Sequence, residues 1–168
     1  MIRLLLFVSL FVSLPAWAQA NIAVVDFQRA SQSVKEGKQI QADLMTMQQG
    51  QQKRLQDMEV QFKGMVEEFQ KQEMILSEDA KREKQRELQL AQQELQQAAM
   101  SAQAEFSKAY EAKAGALFKK LKAVCEGIGA EQGYMLVLEV SQGGVVYSGS
   151  AVDIADELIK RYDAGGCA

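Results

Sequence analysis

The sequence contains no histidine, one proline and two cysteines, and aromatic residues make up only 7% of it. Without histidine, the chain lacks the commonest general base and the commonest metal ligand of proteins. No glycine-rich phosphate loop occurs, because Gly143-Gly144 fits a hairpin turn better. Acidic residues outnumber basic ones by 22 to 19, which gives no basic surface for nucleic acid. These absences predict a protein that is not an enzyme and that uses no cofactor, metal or nucleic acid.

The first twenty residues have the plan of a secretory signal peptide. Arg3 precedes an apolar run over residues 4–14, and the only proline, Pro15, separates this run from the small-residue segment Ala18-Gln19-Ala20. We expect cleavage after Ala18 or Ala20. A retained membrane anchor is the alternative, but a spanning helix needs about 20 apolar residues, which is longer than this run. The sequence therefore predicts an exported chain with no stable membrane insertion.

The two cysteines, Cys125 and Cys167, lie too far apart in sequence to form a redox motif or a zinc site. Export places both of them outside the reducing cytosol, where disulfides persist. A disulfide between them would connect the C-terminal tail to the end of a long helix. One buried thiol and one tail thiol are the alternative, because the spacing does not show that the two Cα atoms are close.

The central part of the chain is built from good helix formers and has no proline. Ser33 and Glu36 fit a capping box, which predicts that a long helix begins there. Its apolar residues are spaced alternately by three and four, as in a coiled-coil seam, and polar Gln48 and Gln51 continue the seam toward Leu44. The seam consists of Leu55, Met58, Phe62, Met65, Phe69 and, after Gln72, Leu76.

A second seam of similar spacing follows, and a candidate turn separates the two. Ser77, Glu78 and Asp79 are residue types favoured at the cap and in the first turn of a helix. We expect a reversal near residues 75–78 and an antiparallel helical hairpin over 36–127, about 60 Å long. One continuous helix is the alternative, which the cap and the matched seams disfavour. The second seam consists of Leu88, Ala91, Leu95, Ala98, Ala102, Phe106, Tyr110, Leu117, Leu121, Val124 and Ile128.

The segments on either side of the hairpin predict a small β body. Residues 22–26 form a buried strand pattern, and Asp26 can cap a helical turn over 27–30. Glycines at 127, 129 and 133 are expected to end the second long helix. Residues 134–140 and 145–147 flank a Gln-Gly-Gly turn and predict a β-hairpin, and Asp153 opens a final helix.

This β body, over residues 21–35 and 128–168, is too small to be very stable alone. We therefore expect copies of the chain to associate through its apolar strands. The candidate residues for this contact are Ile22, Val24, Leu136, Leu138 and Val145.

The order of strand, helical hairpin, strands and closing helix resembles the Skp/OmpH family of periplasmic chaperones. The resemblance covers essentially the whole chain after the signal peptide. It implies an α+β fold in which a small β body carries a coiled-coil arm, and a homotrimer whose tentacle-like arms surround a cavity. The segments that carry it are Ile22–Asp26, Gln28-Arg29-Ala30, Gly37-Lys38, the two Gln/Glu/Lys-rich helices, Tyr134–Leu138 and Asp153-Ile154-Ala155.

The resemblance also implies a function, which is to hold unfolded outer-membrane proteins in the periplasm, without ATP, until they are assembled. Basic members of the family are taken to use positive charge on lipopolysaccharide as well. Here residues 60–90 carry six basic and seven acidic side chains, which argues against lipopolysaccharide binding.

Methionine is flexible and suits surfaces that accept varied partners, so the arm methionines and phenylalanines are candidate client contacts. Three of them, Phe62, Met65 and Phe69, follow the seam, and filling the hairpin interior is the alternative role for them. Met47 and Met74 fall off the seam, which favours client contact. The rival function is a structural or adaptor coiled coil of the cell envelope, which polar seam positions and a high methionine content disfavour. The candidate client-binding residues are Met47, Phe62, Met65, Phe69 and Met74.

Overall fold

The computed structural model describes residues 21–141 and 143–165. The predicted signal peptide and Cys167 lie outside these residues. Two long helices separate the first strand from the second, and a third, short strand and a short helix complete the chain. The elements are β1 (Ile22–Val25), α1 (Phe27–Ser33), α2 (Lys35–Gln72), α3 (Glu78–Gln132), β2 (Leu136–Glu139), β3 (Val152–Asp153) and α4 (Ala155–Asp163).

The three described strands form one parallel sheet in the order β2-β1-β3. Parallel strands need a long crossover, and here the whole helical hairpin connects β1 to β2. The predicted β-hairpin over 134–140 and 145–147 is therefore wrong. Residues 145–147 lie in a loop, and the short strand β3 beyond it pairs with the free edge of β1. Pairing with the strand before the hairpin overrides the local turn pattern.

Asp26 caps α1 as predicted, because its carboxylate accepts a hydrogen bond of 2.8 Å from the backbone N–H of Arg29. The helix is one turn longer than expected and ends at Ser33.

The predicted capping box at Ser33 and Glu36 is wrong. Fully buried Val34 adopts an extended backbone and separates α1 from α2, so Val34 rather than Ser33 precedes the long helix. The free N–H of Lys35 donates instead to the carboxylate of Asp163, at 2.9 Å, at the end of α4. A residue distant in sequence therefore replaces the local cap.

Gly37 lies where α2 crosses α1, and a Cβ atom there would come within 1.6 Å of the carbonyl oxygen of Ser31. Only glycine permits this approach. The Gly37-Lys38 pair in the sequence is thus explained by backbone packing.

The reversal at Ser77 is confirmed. Helix α2 ends at Gln72, the chain turns, and the Ser77 hydroxyl accepts a hydrogen bond of 3.3 Å from the N–H of Ala80 to cap α3. At 1.5 Å per residue, α2 is about 57 Å long and α3 about 82 Å long. The extra length of α3 extends into the base of the molecule.

The end of α3 differs from the prediction. Gly127 and Gly129 lie inside the helix, which continues to Gln132, and Gly133 alone ends it with a left-handed φ of 67°. Burial of the last turns outweighs the low helix propensity of the two inner glycines.

Alanine substitutions at two of these glycines should change the free energy of unfolding in opposite directions. Gly133→Ala should lower the free energy of unfolding by about 1 kcal/mol, because a Cβ disfavours the left-handed backbone although no atom lies within 4 Å of it. Gly127→Ala, also with open space around its Cβ, should raise it by about 0.5–1 kcal/mol, because alanine is the better helix former. Urea denaturation measures both, and equal signs would contradict the assigned cap.

Among the described residues, the hydrophobic core lies entirely at one end of the molecule. It is formed by β1, α1, the last third of α3 from Leu117, and α4. We call residues 21–34 and 117–165 the base and residues 35–116 the arm. Within the arm, Leu44 is the last buried side chain before Leu117, so residues 45–116 have no fully buried side chain.

No helix of the described residues has both the length and the apolar content needed to cross a bilayer.

Candidate functional site

The arm is held together by a seam of half-buried side chains. The predicted seam is confirmed over most of its length, because its residues alternate in burial with exposed polar neighbours. Two positions are wrong: Met47 rather than Gln48 is half-buried, and Tyr110 is exposed while Ala109 is half-buried. Between Leu44 and Gln51, positions 47 and 48 both give alternating spacings of three and four, so the period alone does not distinguish them.

Small side chains leave open grooves on both sides of the seam in the middle of the arm. One groove has a volume of about 720 Å³ and the other about 400 Å³. Both are lined by Leu55 of α2 and Ala102 of α3. Alanines of α3 are too small to fill the space opposite α2, and most of the glutamines there are exposed, so the grooves stay open to solvent.

The predicted client-binding residues fall into two groups. Phe62, Met65 and Phe69 are half-buried, and the last two line a cleft near the tip together with Leu88 of α3. Met47 is also half-buried, so the expectation that it lies off the seam is wrong. Met74 is 94% exposed in the turn. Only Met74 of these five is open to a partner in the closed hairpin.

The turn also exposes a residue that the sequence reasoning did not select. Ile75 is 83% exposed beside Met74. Three consecutive apolar residues at a predicted turn, Met74-Ile75-Leu76, were the available signal. The arm thus ends in an apolar tip, far from the core.

Ion pairs connect the two helices where the arm leaves the base. Lys120 of α3 donates to both carboxylate oxygens of Glu36, at 2.7 and 3.0 Å, and the hydroxyl of Tyr162 in α4 donates to the same carboxylate. Further out, Lys113 pairs with Asp43 at 2.8 Å. Lys120 first, and Tyr162 second, hold the pKa of Glu36 below its ordinary value, and Lys113 lowers the pKa of Asp43.

These lowered pKa values predict how the arm root responds to acid. A carboxylate whose pKa is depressed by folding stabilises the fold above its unfolded pKa and loses that contribution as pH falls through its folded pKa. The melting temperature of the wild type should therefore exceed that of Glu36→Gln at pH 6, and the difference should shrink as pH falls below about 4. Glu111→Gln, an exposed change on α3, is the control. A difference that persists unchanged at pH 3 would contradict the ion-pair assignment.

The sheet has a second apolar face, turned away from the core. Ala23 and Val25 of β1 point into the core, while Ile22, Val24 and Leu138 line a cavity of about 400 Å³ on the opposite side. The following loop crosses this cavity with Val145 and Tyr147. The predicted self-association residues Ile22, Val24, Leu138 and Val145 thus lie together, and Leu136 lies beside them in register with Ile22.

Large apolar side chains in β2 and the segments next to it remain open to solvent. Leu136 is 48% exposed, Tyr147 88% and Val146 99%, and Met135 is exposed as well. A concentration of large apolar side chains on a small base is typical of a contact surface. Met135, Val146 and Tyr147 were not among the residues predicted for self-association, although they lie next to Leu136 and Val145, which were.

Cys125 is buried at 5% exposure in α3. Burial, and then the nearby carboxylate of Glu126, raise the pKa of its thiol, which keeps it protonated and unreactive. Its predicted partner Cys167 lies outside the described residues, so the disulfide stays a prediction.

The fold matches a known structure over most of its length. An OmpH-like protein of Caulobacter crescentus CB15, described as a candidate outer membrane chaperone, has a crystal structure that superposes with a TM-score of 0.79. The match is 19% identical in sequence and covers 88% of this chain and 86% of the other. At this identity the likeness concerns the fold. No curated protein matches the sequence.

The family model for outer membrane proteins of the OmpH-like type matches residues 21–162, which include every strand of the sheet, both helices of the arm and nearly all of α4. With the helical hairpin, the small strand-bearing base and this match together, the chain belongs to the OmpH-like family.

Proposed function

We propose that this chain is a periplasmic holdase chaperone, which captures unfolded outer-membrane proteins between its arms without ATP and prevents their aggregation. The observation that carries the proposal is the division between base and arm. The base contains the whole core, whereas residues 45–116 of the arm have no fully buried side chain. An arm that is not needed for the core is free to bend around a guest.

The proposal includes several copies of the chain in each working particle. The apolar outer face of the sheet supports self-association, because Leu136, Val146 and Tyr147 are exposed on a small base. We infer a homotrimer, as the family resemblance implies, whose arms surround a common cavity. Weak contacts from three arms then add up, because binding by one arm raises the effective concentration of the client at the others.

Client contact is proposed for the residues that the sequence selected. Met74 offers a direct contact at the tip, where it is exposed with Ile75. Met47, Phe62, Met65 and Phe69 are half-buried in the closed arm, and they contribute when the helices part. We propose that the helices part beside Leu55 and Ala102, where open grooves flank the seam on both sides.

The charge of the arm determines whether lipopolysaccharide is included among the proposed partners. The near balance of charge over residues 60–90 gives no excess of positive side chains for lipopolysaccharide, so the proposal does not include lipopolysaccharide binding. Export through cleavage after Ala18 or Ala20 would place the mature chain in the periplasm, where its clients pass. The proposed holdase role requires only binding of the client, and we propose no catalytic step.

The second candidate is an envelope adaptor that bridges two fixed partners. Its support is the length of the arm, whose helix α3 alone extends about 82 Å. The open, glutamine-lined grooves in the middle of the arm favour the holdase, since a rigid spacer would have apolar packing along its whole seam.

Light scattering by a urea-denatured outer-membrane β-barrel protein, diluted with and without the mature chain, tests the proposal. We expect the chain to suppress scattering at near-stoichiometric ratios with no nucleotide present. Full aggregation in its presence would overturn the holdase. Affinity capture from periplasm separates the adaptor, which would bring down one stoichiometric partner rather than many outer-membrane proteins.

A further inference from the structure

The two helices of the arm differ strongly in charge at the same level. The hydrogen bond of 3.4 Å from Gln51 to Glu105 and the shared cleft of Met65 and Leu88 align residues 49–68 of α2 with 88–107 of α3. The α2 segment contains seven charged residues: Lys53, Arg54, Asp57, Glu59, Lys63, Glu67 and Glu68. The α3 segment contains two charged residues: Glu94 and Glu105.

Both acids of the α3 segment lie at the edge of the helix next to α2. Glu94 and Glu105 line the same groove as Arg54. The side of α3 that faces away from α2 is therefore free of charge over about five turns. We call it the neutral face, and its side chains are exposed and line neither groove: Gln89, Leu90, Gln93, Gln96, Met100, Ala104 and Ser107.

We propose that the neutral face is the surface on which an unfolded client lies, and that it selects uncharged segments with alternating apolar and polar side chains. This inference rests on the proposed holdase function and adds which side of the arm, and which client chemistry, are involved. Glutamine amides both donate and accept hydrogen bonds, so they can satisfy the exposed backbone of an extended chain in any register. Leu90 and Met100 lie among these glutamines and provide apolar contacts.

The absence of charge on the neutral face favours an uncharged client segment. A charged client side chain on this face would lose hydration and find no opposite charge, which is costly. An uncharged segment loses little. Arg82 and Arg86 at one end and Lys108 at the other bound the neutral face. The facing segment of α2, with its seven charged residues, offers no such uncharged surface.

The dimensions of the neutral face also fit. Twenty residues of helix extend about 30 Å. A membrane-spanning β-strand has about 9–11 residues of alternating polarity, and at about 3.3 Å per residue it extends about 30–36 Å. One transmembrane strand of an outer-membrane protein, still unfolded, therefore matches the length and polarity of one neutral face. The side chains of the neutral face are exposed in the closed arm, so this surface is available without opening the arm.

Isosteric charge changes on the two helices provide the test. Gln89→Glu with Gln96→Glu adds two charges to the neutral face, at exposed positions that line none of the described grooves. Gln49→Glu with Gln61→Glu adds the same charge to exposed positions of α2. We expect the first pair to weaken binding of a urea-denatured outer-membrane β-barrel protein about tenfold, through the cost of burying charge, and the second to change it less than about twofold. Equal effects of the two pairs, with a wild type that binds, would overturn the face assignment.

Failure of the proposed function gives a different result, because the wild type itself would then not bind. Native mass tests whether the occupant is instead a second copy of the chain. If the α3 pair dissociates the particle and leaves client binding per chain unchanged, the neutral face binds a second copy and the proposal is wrong. A photo-crosslinker at Gln93, compared with one at Gln61, reports contact without relying on the charged variants. Client crosslinks at position 93 well above those at 61 are expected, and the reverse would refute the proposal.

Discussion

Replacing residues 56–101 with a short Gly/Ser linker should abolish suppression of aggregation and leave the base folded and self-associated. Leu55 and Ala102 line the same groove, so a few linker residues can join them. The change removes Phe62, Met65 and Phe69, the tip and most of the neutral face. It removes no residue of the core. Light scattering of a denatured outer-membrane protein measures the loss, and calorimetry measures the retained melting transition of the base.

The control carries the same linker inserted between Leu76 and Ser77, which lengthens the turn without removing the arm. It should suppress aggregation as the wild type does. A shortened variant that keeps half or more of the wild-type suppression would contradict the role of the arm. A shortened variant that no longer melts cooperatively would contradict the assignment of the whole core to the base.

Leu136→Glu should convert the native particle to single chains. Leu136 is 48% exposed in the isolated chain, so the fold tolerates a polar side chain there, but in an assembly the carboxylate would be buried without a partner. Such burial costs several kcal/mol, and about 4 kcal/mol already weakens association about a thousandfold. Light scattering coupled to size-exclusion chromatography measures the mass.

Val60→Glu is the matched control, since Val60 is also an exposed apolar residue but lies on the arm. It should leave the mass unchanged. A Leu136→Glu particle with the wild-type mass would show that copies of the chain associate through another surface. Loss of assembly in Val60→Glu would also show that copies of the chain associate through another surface.

The helical hairpin could be predicted because its determinants are local. The 3-4 spacing of Met58, Phe62 and Met65 and the cap at Ser77 act within one or two turns of helix. Met47 and Tyr110 were misplaced at positions where the apolar series is interrupted by glutamine or alanine. There the period alone had to be extrapolated, and an error of one residue moves a side chain from the seam to the surface.

The sheet could not be predicted in the same way. Residues 145–147 have a strand composition and follow a turn, yet β1 pairs instead with Val152 and Asp153 in parallel. The partner of β1 depends on how α3 and α4 pack against it, which local sequence does not specify. The same reason explains the start of α2, where Asp163 replaces the expected cap at Ser33. Even so, four of the five residues proposed for self-association line one cavity. Ile22, Val24 and Leu138 do so because alternation along a strand holds in either topology, and Val145 does so because its loop crosses the same face.

The neutral face illustrates a signal that was present but needed the structure to interpret. The sequence shows few charges over residues 88–107, which in isolation indicates little. Alignment with the charged segment of α2 gives the arm two different sides. The position of Glu94 and Glu105 in the groove beside Arg54 then leaves the outer side without charge.

Native mass spectrometry of the mature chain, mixed with a urea-denatured outer-membrane β-barrel protein, most directly tests capture of a client by assembled arms. We predict one dominant complex that contains three copies of this chain and a single client. A spectrum with only single copies of the chain, none of them carrying the client, would contradict it.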